Sequence, residues 1–263
     1  MVQGGGEAYE RALKVQDLDR PREVSSARGD ARVKLLQEME RDFIKSRPGL
    51  AAESHRTAYQ RAVTLMKSES AKAFDMSQEA TKLRDAYGRN LFGQGCLLAR
   101  RLVEKNVPFI EVALSRIPGA NVFGWDTHAN NFDAVKRLSG VLDPAWSTLM
   151  QDLKDKGLLD TTLIVWMGEF GRTPRINGNK GRDHWANSWS TVLAGGGIKG
   201  GQVIGETSAD GTEVTKRPVS VDDFLATVCR AVGVDPMKQN QSNVGRPIRL
   251  VEPKAKPIKE VLA

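Results

Sequence analysis

The sequence predicts an α/β protein in which a mostly parallel sheet is flanked by helices and follows a helical N-terminal segment. Apolar residues recur at helical spacing through much of the first hundred residues. Beyond them, short apolar or β-branched runs that predict strands alternate with longer helical runs. This alternation of strand, helix and strand is typical of a parallel sheet covered by helices.

The helical part begins at 30–46 (DARVKLLQEMERDFIKS), where Val33, Leu36, Met39 and Phe43 fall near helical spacing. The RPG that follows is a signal for the end of a helix. Two further helical runs, the second of which predicts one or two short helices, occupy 51–68 and 68–88.

Three runs predict the strands of the sheet: 108–114 (PFIEVAL), 161–167 (TTLIVWM) and 188–197 (SWSTVLAGGG). A long helix is predicted between the first two, and we expect it to bend where Gly140 and Pro144 interrupt it. A last helix is predicted at 220–233. Ser220 is its expected N-cap, Asp223 the capping-box partner and Gly233 the stop.

These elements predict one α/β domain at 28–235, in which residues 28–90 form a helical insert. Residues 1–27 are rich in Gly, Arg and Asp without a sustained period, which predicts a loosely structured lead-in. Residues 236–263 are rich in Pro and Lys and predict an irregular tail.

Length and composition narrow the class of protein. A chain of 263 residues can bury one substantial core. Hydrophobic residues at 40% and charged residues at 27% are ordinary for soluble globular proteins. No run approaches the roughly 18 consecutive apolar residues of a membrane span. The net charge is +7, but Lys and Arg are scattered among acids, so we predict no nucleic-acid binding. Cys96 and Cys229 lie in apolar helical contexts and are expected to act as small hydrophobic residues.

The segment GWDTH, which follows the first predicted strand, contains a candidate metal-binding pair. Asp126 and His128 are two residues apart, so on an extended segment their side chains point the same way and can reach one cation. Oxygen and nitrogen ligands together suit zinc, manganese or iron(II) better than calcium. The alternative is that Asp126 caps the next helix and His128 hydrogen-bonds to it. Their position at the end of a strand favours the metal site.

The segment GEFGRT follows the second predicted strand and supplies two candidate catalytic residues. Glu169 offers a carboxylate that can serve as a metal ligand or a general base. Arg172 offers a planar guanidinium suited to a phosphate or a sulfate. The alternative is a local salt bridge between the two.

The segment GRDHW supplies the last candidates. His184 is a possible metal ligand, and Asp183 is either its orienting partner outside the ligand set or a ligand itself. The remaining histidine, His55, lies in a polar helical segment without a partner at ligand spacing. We predict a structural role for it.

In order and spacing, the motifs GWDTH, LIVWMGEFGRTP, GRDHW and VLAGGGIKGGQVIG resemble the DUF1501 family, of the alkaline-phosphatase and sulfatase-like clan. The resemblance extends from about residue 10 to about residue 235. Clan enzymes bind one or two divalent metals through Asp and His residues, which here match Asp126, His128, Glu169 and His184. Where the clan has a second Asp–His pair, this chain has Glu169 followed by Phe, so the number of metals is left open.

The resemblance implies a metal-dependent hydrolase that acts on an anionic ester of phosphate or sulfate. A divalent metal, which would be zinc, manganese or iron, polarises the ester, and Arg172 stabilises the anion. Family members usually begin with an export signal, which implies an exported or periplasmic location for full-length relatives. They also carry an N-terminal strand segment with further acidic ligands and the nucleophile.

This chain resembles the family only beyond that segment, so we expect a truncated member with impaired catalysis, to be completed by the missing segment or by a partner chain. No Ser or Thr here follows a strand with the flanking acids that would mark a replacement nucleophile, and Thr127 and Thr173 are the nearest candidates. The alternative function is a non-catalytic, metal-bound or structural domain of an exported or cell-surface protein.

Overall fold

The computed structural model describes residues 6–47, 49–115, 124–242 and 244–263. The α-helices in these ranges are α1 (Gly6–Leu13), α2 (Ser26–Ser46), α3 (Leu50–Lys67), α4 (Thr81–Tyr87), α5 (Leu91–Val103), α6 (Asn131–Asp155) and α7 (Val221–Ala231). None of them is both long and apolar enough to cross a membrane. Short 3-10 turns occupy Glu69–Phe74, Met76–Gln78, Leu159–Thr161 and Lys259–Val261.

The strands are short and pair two by two. They are β1 (Leu163–Trp166), β2 (Gly171–Arg172), β3 (His184–Trp185), β4 (Val192–Gly195), β5 (Glu206–Thr207), β6 (Val214–Lys216), β7 (Gln239–Gln241) and β8 (Pro247–Arg249). The pairs β1–β4, β2–β3, β5–β6 and β7–β8 are all antiparallel. The general class, a mixture of helices and sheet, is as predicted.

The prediction of a mostly parallel sheet is wrong for the part of the chain that the structure describes. A parallel pair needs a long crossover, usually a helix, between its strands. Between β1 and β4 the chain runs through loops and the short β2–β3 pair without a helix, and it returns antiparallel to itself. Helix α6 precedes β1 and helix α7 lies between β6 and β7, but neither helix connects two paired strands among the described residues.

The strand predicted at 108–114 is also wrong. This segment contains no paired strand. Val112 and Leu114 pack instead against the helical core, while Phe109 is 81% exposed. Strand propensity mainly reflects how a side chain fits a half-buried surface. Here that surface is offered by helices, so the residues are partly buried without a ladder of hydrogen bonds.

Several predicted helices are confirmed. The segment 30–46 lies within α2, and α6 is one helix that includes Pro144. At the start of α7, the Ser220 hydroxyl accepts a hydrogen bond from the Asp223 backbone N–H at 3.1 Å. Gly233, just beyond α7, has a φ of +74° and ends the helix as expected.

Within the described residues, the predicted lead-in and the predicted tail both contain regular structure. The lead-in contains α1, where Tyr9 is buried and Glu10 accepts a hydrogen bond from Arg84 at 3.0 Å. The tail forms the β7–β8 pair and then packs on α7, where the Ile258 N–H donates to the Thr227 hydroxyl at 2.8 Å. These contacts join residues distant in sequence, and α1 is only eight residues long. Long-range contacts and so short a helix leave no periodic pattern in the local sequence from which they could be predicted.

The core lies between α4, α5 and α6. Its buried residues are Tyr87, Phe92, Cys96, Leu97 and Ala145. Phe92 and Cys96 lie one turn apart on α5, so they present one apolar face to α6. Burial raises the pKa of the Cys96 thiol to about 12, which keeps it protonated and consistent with a packing role.

A buried ion network closes one end of this core around Arg100, whose side chain is only 2% exposed. Its Nη1 donates to Glu104 at 2.7 Å. Its Nε and Nη2 form ion pairs with Asp152 at 2.9 Å and with Glu79 at 2.8 Å. The Tyr87 hydroxyl donates to the same Asp152 carboxylate at 2.9 Å. One guanidinium therefore pairs with three carboxylates from different segments.

Two loops that carry the candidate site are joined by backbone hydrogen bonds. We call residues 124–131 the Asp–His loop and residues 173–183, which connect β2 to β3, the docking loop. The Arg182 N–H donates to the Thr127 carbonyl at 3.0 Å, and the Asn131 N–H donates to the Lys180 carbonyl at 3.0 Å. These two bonds involve only backbone atoms, so the main chain by itself holds the two loops together.

Gly181 allows this close approach. A Cβ atom at this position would lie 1.9 Å from the His128 carbonyl oxygen, far inside van der Waals contact. Because the obstructing atom belongs to the backbone, a side chain at 181 could be accepted only if the loops separated. The position of His128 therefore depends on a residue without a side chain.

We expect Arg100→Met to destabilise the fold by about 3–5 kcal/mol, because it leaves the largely buried Asp152 carboxylate without a counter-charge. Urea denaturation followed by circular dichroism measures the change. The control is Arg41→Met, since Arg41 is a largely exposed residue 3.9 Å from Asp42, and its loss should cost less than about 1 kcal/mol. Equal effects of the two variants would show that the network contributes nothing beyond a surface pair.

We expect Gly181→Ala to destabilise the fold by about 1–3 kcal/mol through overpacking against the His128 backbone. Gly178→Ala is the matched control in the same loop, because a Cβ there meets no atom within 4 Å, and its effect should stay within about 0.5 kcal/mol. The two unfolding curves give the comparison. A stable Gly181→Ala variant would contradict the close approach of the loops.

Candidate metal centre

The β2–β3 pair determines which side chains face the Asp–His loop. Its register places Gly171 opposite Trp185 and Arg172 opposite His184. Directly opposed residues of an antiparallel pair project from the same face. Arg172 and His184 are therefore neighbours on one face, and both reach Asp126.

Asp126, His128 and His184 form a nearly equilateral triangle of potential metal ligands. The Asp126 Oδ1 lies 3.1 Å from the His128 Nε2 and 3.1 Å from the His184 Nε2. The two Nε2 atoms are 3.1 Å apart. The structure thus brings together three residues that are separated in sequence by up to 58 positions.

The size of this triangle fits a divalent transition metal. Metal–ligand bonds of about 2.0–2.1 Å place two ligands about 3.3 Å apart in tetrahedral geometry and about 3.0 Å apart in octahedral geometry. The observed 3.1 Å lies between the two values. Two imidazoles and one carboxylate suit zinc and iron(II), and such a set leaves positions open for water or substrate.

Asp183 lies behind the triangle and contacts His128 rather than His184. Its Oδ1 lies 2.8 Å from the His128 Nδ1. Hydrogen bonds from His128 and then from Asn177 lower the pKa of the Asp183 carboxyl. The carboxylate is therefore ionised and holds the far side of the His128 ring. The sequence suggested this orienting role toward His184, its neighbour in the chain.

Arg172 borders the triangle through the Asp126 carboxylate. Its Nη2 donates to the Asp126 Oδ1 at 2.8 Å. Hydrogen bonds from Arg172 and from His184 lower the pKa of Asp126. The guanidinium also lies 5.8 Å from the centre of the Phe170 ring. The local salt bridge considered between Arg172 and Glu169 does not form in the described part of the chain.

Glu169 is not brought into the triangle. Its side chain is exposed, and no described residue forms a hydrogen bond or an ion pair with its carboxylate. It lies between β1 and β2, on the chain that leads to Arg172. Its adjacency to the strand end suggested a ligand, but the side chain of a residue that follows a strand can point away from its neighbours.

Thr127 and Thr173, the two candidate replacement nucleophiles, are both engaged in structural hydrogen bonds. The Thr127 hydroxyl is buried and donates to the Asn131 Oδ1 at 2.6 Å. The Thr173 hydroxyl donates to the Arg175 carbonyl at 2.9 Å and accepts from the Asp183 N–H at 3.0 Å. Neither hydroxyl is free to attack an ester.

The triangle is open to solvent. The side chains of Asp126, His128 and His184 are 47%, 45% and 54% exposed. A ligand can therefore reach the site, but solvent can as well. His55 is separate from the site, exposed on α3 with its Nδ1 3.4 Å from Glu40.

Asn177 is a functional candidate that the sequence did not indicate. Its Nδ2 donates to the Asp183 Oδ1 at 3.0 Å and to the His128 carbonyl at 3.1 Å. Asn beside Gly in the segment NGNKG is a signal for a turn. That signal says nothing about a contact with a loop 49 residues earlier in the chain.

Comparison with known proteins places the chain in a family without a known activity. No curated protein and no solved structure matches it significantly. A family model described as a protein of unknown function matches residues 3–262, which is nearly the whole chain. The chain therefore belongs to the DUF1501 family.

Proposed function

We propose that this chain binds one divalent transition metal through Asp126, His128 and His184, and that it is a metal-dependent hydrolase domain for phosphate or sulfate esters. The observation that carries the proposal is the triangle of ligand atoms, each 3.1 Å from the other two. Two imidazole nitrogens this close to a carboxylate oxygen and to each other need a cation or a shared proton between them. We also propose that the chain is related to the alkaline-phosphatase and sulfatase-like clan.

The chemistry proposed for the site divides between the cation and Arg172. A bound metal ion supplies Lewis acidity toward a phosphoryl or sulfuryl oxygen. Arg172 supplies planar N–H donors beside the same Asp126 oxygen, where they can hold the other oxygens of a tetrahedral anion. The exposed carboxylate of Glu169 is the proposed general base. It would act on a solvent or substrate proton rather than as a ligand.

The second candidate function is a non-catalytic, metal-bound or structural domain of an exported or cell-surface protein. Two observations favour it. The site is about half exposed, whereas catalytic sites usually exclude water. Both threonines near the site are committed to other hydrogen bonds. A nucleophile supplied by an N-terminal segment or by a partner chain would restore the hydrolase function.

We expect the purified protein to bind one zinc, manganese or iron(II) ion per chain, measured as metal content after gel filtration and as affinity by calorimetry. His128→Ala should abolish tight binding, because two protein ligands rarely hold such an ion. His55→Ala is the matched control, since His55 is exposed on α3 beside Glu40 and lies outside the triangle, and it should bind like the unmodified protein. Equal binding by both variants, or none by the unmodified protein, would rule out the site.

We expect only slow hydrolysis of aryl phosphate and aryl sulfate esters by the metal-loaded protein. Positioning and charge stabilisation remain, but a free nucleophile is lacking among the described side chains around the triangle. Arg172→Met should lower kcat/KM by about tenfold or more, because it removes the donors to the anion. Fast turnover that is lost in His128→Ala would mean that the chain holds a nucleophile. Turnover unchanged in His128→Ala would favour the structural alternative.

A further inference from the structure

A relay of hydrogen bonds runs from the docking loop to the His128 ring. The Asn177 Nδ2 donates to the Asp183 Oδ1 at 3.0 Å, and the same oxygen lies 2.8 Å from the His128 Nδ1. A second donation from Nδ2, to the His128 carbonyl at 3.1 Å, holds the backbone of the same histidine. Asn177 thus controls both the ring and the main chain of His128.

The bonds around Asn177 fit an amide and no other group. A side-chain amide has two N–H donors and an oxygen with two lone pairs. Both donors are used toward His128 and Asp183. The oxygen accepts the backbone N–H groups of Asn179 and Gly181, each at 2.9 Å. The full capacity of the amide is therefore used, and an aspartate at this position could accept but could not donate.

The relay determines where His128 carries its proton. An ionised carboxylate only accepts hydrogen bonds, so the Nδ1 of His128 must be the donor to Asp183. In the neutral ring the Nε2 then holds the free lone pair, and this Nε2 is the atom in the triangle. A metal binds imidazole through such a lone pair. His128 is thus set for metal binding while the protein is metal-free.

His184 is in the opposite state. Its Nε2 lies 3.1 Å from the Asp126 Oδ1 and 3.1 Å from the Nε2 of His128, and both of these atoms are acceptors. The neutral ring therefore carries its hydrogen on Nε2. Its Nδ1 has no partner in the described part of the chain, and the ring is 54% exposed. The hydrogen can move to Nδ1 through solvent when a metal takes its place.

We propose that Asn177 is a positioning residue that fixes His128 in the Nδ1–H tautomer in advance, so that metal binding requires a change of tautomer at His184 alone. The proposal deepens the proposed metal site and rests on it. It assigns no catalytic contact to Asn177. In this proposal Asn177, which is not a metal ligand, links the packing of the docking loop on the Asp–His loop to the tautomer of His128.

The test uses nitrogen-15 NMR of the histidine rings at pH 8, with and without zinc. Because the chain has three histidines, each ring can be assigned with single variants. In the metal-free protein we expect His128 to be Nδ1–H and His184 to be Nε2–H. With zinc, both should be Nδ1–H, and His55 should not change.

Asn177→Ala should give His128 a mixture of tautomers and weaken zinc binding by about tenfold or more. Asn179→Ala is the matched control, because the Asn179 side chain is exposed and only its backbone N–H contacts Asn177. Asn177→Asp serves as the second variant if Asn177→Ala fails to fold. It keeps an oxygen that can accept the Asn179 and Gly181 N–H groups but has no donor at pH 8, so His128 should again show mixed tautomers.

A pure Nδ1–H state of His128 in both Asn177 variants, with zinc affinity within about twofold of the unmodified protein, would overturn the proposal. Lower thermal stability without a change of tautomer would overturn it as well, since that is the result expected of a merely structural residue. The expected tautomers in a metal-free protein that binds no zinc would support the relay and refute the proposed metal function.

Discussion

The site depends on how closely two backbones approach each other at Gly181. At this point the docking loop and the Asp–His loop are too near for any side chain to fit between them. Backbone hydrogen bonds on either side hold the loops in register. This contact decides where His128 lies, which residue meets its ring, and how far the ring is from His184. Main-chain packing thus places the residues of the ligand triangle, and their side chains supply the ligand atoms.

The part of the structure that could be predicted from the sequence is the part encoded by local pattern. Helical spacing in α2 and the capping residue of α7 act within a few residues of chain, and the structure has both. The apolar run of β1 also forms a strand, but its partner depends on the route of the chain. A run such as 108–114 can bury itself on helices as well as in a sheet. Strand partners and direction therefore could not be inferred.

The candidate site was predictable to a similar degree. Asp126, His128 and His184 were chosen by residue type and by their place after predicted strands. They lie together although the predicted parallel sheet is absent, because the β2–β3 pair and the docking loop bring them into contact. Glu169 was chosen on the same grounds and lies outside the triangle. No sequence pattern indicates Asn177, because its amide is bonded by groups that are distant in the chain and adjacent only in the fold.

Arg172 adds a positive charge next to the Asp126 carboxylate of the triangle. Its guanidinium shares the Asp126 Oδ1 with the two histidines, so the carboxylate is already partly neutralised before a metal arrives. A metal therefore gains less charge attraction from this carboxylate than from a free one. An anion at the proposed site would meet two positive groups, the metal and the Arg172 guanidinium, beside the same Asp126 oxygen. If the proposed metal and an anion bind, the same contact would weaken binding of the metal alone and favour a complex that contains both.

If the triangle binds a metal as proposed, its geometry alone would not determine which metal that is. It contains no thiolate, which would favour soft ions, and no ring of carboxylates, which would favour magnesium or calcium. Ligands of this type follow the general stability order of divalent ions, in which copper(II) exceeds zinc, and zinc exceeds iron(II) and manganese. A site with three protein ligands and a 3.1 Å spacing between two ideal geometries does not correct that order. The ion that occupies it would be selected by whichever metal the compartment makes available while the chain folds.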